Sequence, residues 1–322
     1  MSAERRTPLP DARRNPRFGG IATFGRWPRL ADAAGDIDWA VLGVPFDGGV
    51  TYRPGARFGP RAIREQSQYL KHYSIEHGVD VPGVLALADA GDAPVLPYGV
   101  KVTLDAVIEH ARAIESRGLV MLGGDHSIVY AGMTAAWERA GRPEDGLACV
   151  HFDSHMDTLD SVWGEKWNHA TPFRRLIEAG VLDPKRTLSI GIKGPLNSAD
   201  DLEYARERGI RVVTYADWRD RGDDVLRSFV AELNDAPAYL SFDIDCVDPV
   251  FAPGTGTPSV GGFTSAEVLG MLRALSGVQL AGADVVEVLP ERDVAGNTAL
   301  LAAHVVFEIL ALDAVRRGAM PG

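Results

Sequence analysis

Short apolar runs alternate with amphipathic helical stretches along most of this 322-residue chain, and that alternation restricts the possible folds more than any other feature. Strands are expected at 39–44, 84–87, 119–122, 147–152, 187–192, 210–214, 238–242 and 281–288. Helices are expected at 60–70, 101–117, 171–179, 200–208, 223–233, 264–275 and 298–316, with a further one running from a glycine break at Gly123 to about 140. Within the strands polarity does not alternate strictly, so both faces of the sheet must be covered, which is the condition of a parallel sheet between helical layers. The expected fold class is α/β: a three-layer αβα domain around a mainly parallel sheet of about eight strands. Ligands of such sheets bind outside the carboxyl ends of the strands.

The formal charge of -11 and pI of about 5.2 give a field that repels phosphate backbones and anionic bilayers, so nucleic-acid and membrane partners are not expected. The two cysteines, Cys149 and Cys246, both lie in apolar runs and read as buried thiols of a reducing compartment, the cytoplasm. Residues 1–17, rich in Arg and Pro, have no apolar stretch of targeting length and are expected to be a flexible arm or a subunit contact. Residues 18–322 are expected to form one catalytic domain.

Chemistry gathers at three strand ends. In Asp153-Ser154-His155-Met156-Asp157, acid, imidazole and acid fall on every second residue, which on a continuing strand puts all three on one face. A divalent cation would relieve the cost of placing them together, whereas a solvated turn gains nothing from the alternation. Asp243 and Asp245 share the same parity after a second apolar run, and His126 follows a double glycine after a third. Alone His126 carries little weight, and Asp248 before Pro249 reads as a turn residue. Two imidazoles and four carboxylates suit a pair of divalent ions, manganese first, with nickel or zinc as alternatives. Calcium prefers all-oxygen shells, and Cys246 has the wrong parity for a thiolate site. A pair of ions roughly 3.5 to 4 Å apart lowers the pKa of a shared water, so the set implies hydrolysis. His151 has ligand parity but sits one step deeper, where core packing or support of a ligand are equal readings. Trp163 and Trp167 either line a substrate pocket or simply pack, and His72, His77, His110 and His304 are given no role.

Gly123-Gly124-Asp125-His126, Asp153-Ser154-His155-Met156-Asp157 and Ser241-Phe242-Asp243-Ile244-Asp245-Cys246-Val247-Asp248-Pro249 resemble the three signatures of the ureohydrolases, the arginase and agmatinase superfamily. Arg53-Pro54-Gly55-Ala56-Arg57-Phe58-Gly59-Pro60, Ala252-Pro253-Gly254-Thr255-Gly256-Thr257-Pro258 and Val285-Val286-Glu287-Val288 are similar to the agmatinase and guanidino-acid hydrolase branch. The resemblance implies an arginase-like fold, two Mn2+ per subunit, and cleavage of a guanidino group to urea and an amine. It implies that His126, Asp153, Asp157 and Asp243 hold one ion and His155, Asp153, Asp243 and Asp245 the other. It further implies that Glu287 pairs with the guanidinium and that His169 and Asp157 move protons. Ala170 stands where the family usually has glycine; Ser154 and Met156 also depart from its pattern, with side chains expected to point away from the metals. The lead substrate is agmatine, giving putrescine and urea. The alternative is an ω-guanidino acid, guanidinobutyrate or guanidinopropionate, for which Arg53, Arg57 and Lys193 are available as carboxylate partners. A metal-dependent amide deacetylase and a catalytically silent partner subunit are the remaining alternatives. A homo-oligomer, trimer or hexamer, is the implied assembly.

Overall fold

The computed structural model describes residues 6–318; residues 1–5 of the expected arm lie outside the described residues. Among the described residues there are ten strands: β1 (Trp39–Val44), β2 (Tyr73–Ser74), β3 (Val79–Asp80), β4 (Leu87–Asp92), β5 (Gly118–Gly123), β6 (Leu147–Phe152), β7 (Leu182–Ile192), β8 (Arg211–Thr214), β9 (Ala238–Asp243) and β10 (Leu280–Val286). Eight form one sheet in the order β4-β1-β5-β10-β9-β6-β7-β8, parallel throughout, while β2 and β3 make a small antiparallel pair. The helices are α1 (Gly59–Ser67), α2 (Val81–Val84), α3 (Val100–Arg112), α4 (Val129–Arg139), α5 (Pro172–Glu178), α6 (Glu203–Arg208), α7 (Tyr215–Arg221), α8 (Asp224–Leu233), α9 (Ser265–Ala274) and α10 (Asn297–Gly318).

Both sheet faces are buried, as the unalternating apolar strands require. Trp39 and Val41 of β1 belong to the core shared with α1, α9 and α10, while Ala40, Leu42 and Val44 belong to the core shared with α3 and α4 on the other face. All six residues of β1, β5, β6 and β9 are buried. The 22-residue α10 is the one helix among the described residues long and apolar enough to cross a membrane, yet 83% of its apolar window is buried within this fold. It is a core helix. The expected arm is tied to the body at Thr7, whose hydroxyl donates to Leu85 O (2.6 Å) and accepts from Leu87 N–H (2.8 Å).

Four expectations need correction. The stretch expected as a strand at 84–87 enters a short helix at Val81–Val84, opened by Pro82, and the strand begins at Leu87. The helix expected to reach 117 ends at Arg112, because Gly118 is already paired with Trp39 in the sheet. Helix α7 was not expected, although Thr214 and Asp217 form a capping box at its start. Finally, the acidic and imidazole side chains do not alternate along strands: β6 ends at Phe152 and β9 at Asp243, so Asp153–Asp157 and Ile244–Cys246 are loop and turn.

Candidate metal centre

The strands β5, β10, β9 and β6 are neighbours at the middle of the sheet, and the loops beyond their carboxyl ends carry the cluster. After β5 the chain passes under residues 44–46, and a Cβ on Gly124 would lie only 2.0 Å from Phe46 O, so only glycine fits. Asp125 then caps the following turn by accepting from Ser127 N–H at 2.9 Å, which fixes His126 over the sheet. After β6, Asp153 Oδ1 accepts from His155 N–H at 2.6 Å, folding the loop back on itself. After β9, Asp243 Oδ1 accepts from Asp245 N–H at 2.8 Å in the same way. These local turns, rather than strand alternation, bring the side chains together. Asp157 and Glu287 have φ of 52° and 63°, a left-handed conformation that costs a non-glycine residue about 1–3 kcal/mol and tends to occur at functional sites.

His126 Nδ1 lies 3.1 Å from Asp153 Oδ2, 2.9 Å from Asp157 Oδ2 and 3.3 Å from Asp243 Oδ2. It is fully buried and yet makes no hydrogen bond to any of them. Three carboxylate oxygens and an imidazole nitrogen that converge without hydrogen-bond geometry form the donor set of a cation shell. A second group brings His155 Nδ1 to 3.3 Å from Asp153 Oδ1 and 3.1 Å from Asp245 Oδ2. The residues therefore fit two divalent ions sharing Asp153. Burial alone would lower the pKa of both histidines, but the surrounding carboxylates raise His126 and His155 well above their ordinary value. Burial and the neighbouring Asp245 and Asp153 push Asp243 well up, and burial with Asp153 raises Asp157. Burial would also raise Asp153, but His126, His151 and His155 outweigh it and hold its carboxyl well below the usual range. Such opposed shifts are what divalent cations would remove.

Behind the cluster lie residues to which sequence reasoning, His151 apart, gave no role. His126 Nε2 is 2.9 Å from Ser241 Oγ, which donates to Asp284 Oδ1 (2.8 Å), and Tyr239 OH donates to Asp284 Oδ2 (2.9 Å). This chain assigns the Nε2 proton and leaves Nδ1 as a ligand. His151 sits 2.8 Å from Asp153 Oδ2 and 3.1 Å from Ser189 Oγ, so it braces a carboxylate rather than packing only. Ser241 precedes Asp243 by two residues, a legible signal; Asp284 and Ser189 come from the registers Asp284↔Ser241 and His151↔Ser189, which only the fold supplies.

Glu287 Oε1 accepts from His126 N–H (2.8 Å) and sits 2.9 Å from His169 Nδ1. Its other oxygen faces bare backbone, because a Cβ on Gly256 would lie 3.8 Å from Glu287 Oε2. A cavity of about 320 Å³ opens over the cluster, with His155, Asp157, His169 and Asp243 in its wall and Met156, Leu159, Val162 and Leu196 along its sides. Asn197 and Asp201 also line it, and among the described residues no Arg or Lys does. Arg57 is held by Asp47, Arg53 lies over the Tyr52 ring, and Lys193 Nζ bonds Ser154 Oγ, Asp245 O (2.9 Å) and Cys246 O (3.2 Å). Ser154 turns away from the cluster as expected, whereas Met156 lines the cavity. Neither tryptophan does: Trp163 is 83% exposed, and Trp167 packs edge-on against Tyr130 at 4.9 Å. Asp248 is a turn residue, accepting from Val250 N–H (2.9 Å) and Gly261 N–H (2.7 Å).

The model of the arginase family matches residues 37–312. The chain is 43% identical over 316 residues to a guanidinopropionase of Pseudomonas aeruginosa, covering 97% of each chain. It is 40% identical to a mitochondrial agmatinase of Gallus gallus, covering 90% of this chain and 85% of that one. Among solved structures, the proclavaminate amidino hydrolase of Streptomyces clavuligerus superposes with a TM-score of 0.88 at 38% identity, covering 94% of this chain and all of that one.

Proposed function

Because the chain belongs to the arginase family, whose members depend on two metal ions, we propose that His126, Asp153, His155, Asp157, Asp243 and Asp245 hold two Mn2+ per subunit. The reaction itself is that of the family: an amidinohydrolase that cleaves a C–N bond of a guanidino compound. The observation that carries the metal assignment is the buried, unbonded His126 Nδ1 among three carboxylate oxygens. Once bound, the ions would supply Lewis acidity and a lowered water pKa. The chain's own groups would do the rest. Glu287, whose Oε1 is held by the His126 amide and the His169 ring, would turn its other oxygen to the guanidinium. Asp157, at 10% side-chain exposure on the cavity wall, accepts a proton from the attacking water. His169 exchanges protons at Nε2, since its Nδ1 is engaged with Glu287.

For the substrate tail, a cavity with aliphatic sides, Asp201 and, among the described residues, no Arg or Lys favours an ammonium over a carboxylate, which makes agmatine the lead. The second reading, an ω-guanidino acid, is supported by the guanidinopropionase relative at 43% identity. Urea release from agmatine, guanidinobutyrate, guanidinopropionate and arginine, with metal analysis of the same preparation, tests both. A kcat/KM highest for agmatine supports the lead, and one highest for a guanidino acid replaces it. Acetate release from amides without urea would overturn the reaction class. The same metal analysis decides manganese against nickel or zinc. Two unpaired buried thiols support a cytoplasmic setting, and the proposed assembly, a homo-oligomeric trimer or hexamer, is carried over from the family resemblance. A solution mass of three or six times 34.6 kDa would agree with it, and a monomer or dimer would contradict it.

A further inference from the structure

His169 has no free ring nitrogen. Its Nδ1 is 2.9 Å from Glu287 Oε1, and its Nε2 is 3.0 Å from Thr51 N and 2.7 Å from Thr51 Oγ1. A histidine that must exchange protons with a reaction in the cavity needs an outlet, and Glu287 is expected to be occupied by the substrate guanidinium. Thr51 is the remaining neighbour, and it lines the same cavity as His169.

The loop after β1 is built to hold this ring. Gly49 N–H donates to Asp125 Oδ2 (2.7 Å), and Gly49 O accepts from His169 N–H (3.0 Å). A Cβ on Gly49 would lie 3.1 Å from Asp125 Oδ2 and 3.2 Å from His169 N, so a larger residue would push the loop away. Farther along, Asp47 Oδ2 accepts from Gly55 N–H at 2.6 Å and closes the loop on itself. Residues 49–51 thus grip His169 by its backbone and its ring at once.

The two contacts at Nε2 make opposite demands. An amide N–H can only donate, so it requires a lone pair on Nε2 and matches the neutral ring protonated at Nδ1. A hydroxyl oxygen can accept from Nε2–H, so it matches the imidazolium. We propose that Thr51 is a positioning residue for His169, whose amide and hydroxyl satisfy Nε2 in both protonation states and whose hydroxyl links that nitrogen to the cavity. A proton leaving Nε2 reaches Oγ1 as the hydroxyl proton passes to an acceptor in the cavity, so Thr51 ends neutral and the ring never turns. The charged groups facing His169 are Glu287 beyond β10, Asp157 beyond β6 and Asp125 beyond β5; all three are acids and favour the imidazolium. The Thr51 hydroxyl is therefore the neighbour that lets the proton depart. The inference rests on the amidinohydrolase reading, and it assigns a role to a loop that carries no metal ligand.

The test uses the full-length metal-loaded protein with Thr51→Val and Thr51→Ser, on whichever guanidino substrate the wild type hydrolyses. Thr51→Val keeps the amide and removes the hydroxyl. The expected result is a kcat lower by about 10² or more, the scale of general acid–base assistance, with KM and metal content unchanged. Thr51→Ser should recover most of the loss and restore the wild-type pH profile. An independent readout is the 15N resonance of His169 Nε2 in zinc-loaded, 15N-histidine-labelled protein, assigned with His169→Asn. Its titration midpoint should fall by about one unit in Thr51→Val, because the imidazolium loses its acceptor, and return in Thr51→Ser. A Thr51→Val protein with wild-type kcat and midpoint overturns the proposal. So does a raised KM with kcat unchanged, which would make Thr51 a substrate contact. If the wild type released no urea from any guanidino compound, the functional reading would fall, while the resonance would still decide whether Thr51 governs the ring.

Discussion

Asp243 is the residue on which the centre turns. One of its oxygens faces His126 at 3.3 Å and the other anchors the turn to Asp245 at 2.8 Å, so it joins the two halves of the cluster. Asp243→Asn keeps the shape and removes the charge. It should reduce bound metal from two ions per subunit to fewer than one, and lower urea release by at least about 10²- to 10³-fold, as when a preorganised electrostatic contact is lost. Two tightly held ions with full activity would remove Asp243 from the site. All six proposed ligands were legible in the sequence because carboxylate and imidazole are rare beside apolar runs. The argument used to collect them was only partly right: Asp153, His155 and Asp157 lie beyond the end of β6 and converge because Asp153 binds the His155 amide and Asp157 adopts φ of 52°. A left-handed aspartate leaves no mark in a single sequence. Nor does the pairing of Thr51 with His169, which is 118 residues away.

At the scale of elements, the register between β9 and β10 sets the chemistry of a histidine on a third strand end. Asp284 pairs with Ser241 across the two strands, and Ser241 Oγ then holds His126 Nε2 at 2.9 Å. Burial raises the Asp284 pKa, but the two hydroxyls it accepts from, on Ser241 and Tyr239, support its charge. Ser241→Ala would free the His126 ring to turn and to carry its proton on Nδ1. The expected effect is a metal affinity weaker by roughly 10- to 100-fold, with activity recovered at saturating metal. Metal titration of the chelated protein measures it, and an unchanged affinity would make Ser241 a packing residue. Sequence reasoning found seven of the eight sheet strands to within a few residues, because long apolar runs leave little choice, and displaced the eighth, β4. It missed α7 and the β2–β3 pair, where signals of two to seven residues are overridden by what packs over them. Strand order is a tertiary property, so the adjacency of β5, β10, β9 and β6 emerged only from the fold.

For the molecule as a whole, a cluster of buried acids and histidines makes stability depend on both metal and pH. In metal-stripped protein, His169 is raised to about 9, burial opposing and Glu287 outweighing it, and His126 and His155 are raised well above their ordinary value by the facing carboxylates. A raised histidine gives stability that is fully present below its unfolded value of about 6.5 and is lost as pH climbs through the folded value. The folded state then holds protons that the unfolded chain has released, so each unit of difference removes about 1.4 kcal/mol over that window. Burial raises Asp125 to about 6, with Glu287 adding to it, so its contribution likewise falls with rising pH, between about 4 and 6. The lowered Asp153 acts in the opposite sense, but only below its ordinary value, outside the range in question. Stripped protein should therefore melt at steadily lower temperature from pH 6.5 to 9. Bound ions keep the ligands deprotonated and reverse the trend, since binding competes with those protons and strengthens as they leave. With metal at 100 times its dissociation constant, a single site adds about 2.7 kcal/mol at a given pH. The melting curves with manganese and with chelator should thus diverge as pH rises, by several degrees or more at pH 9. Parallel curves across pH 6.5 to 9 would show that the cluster does not bind ions in competition with protons, and the two-metal assignment would fail with it.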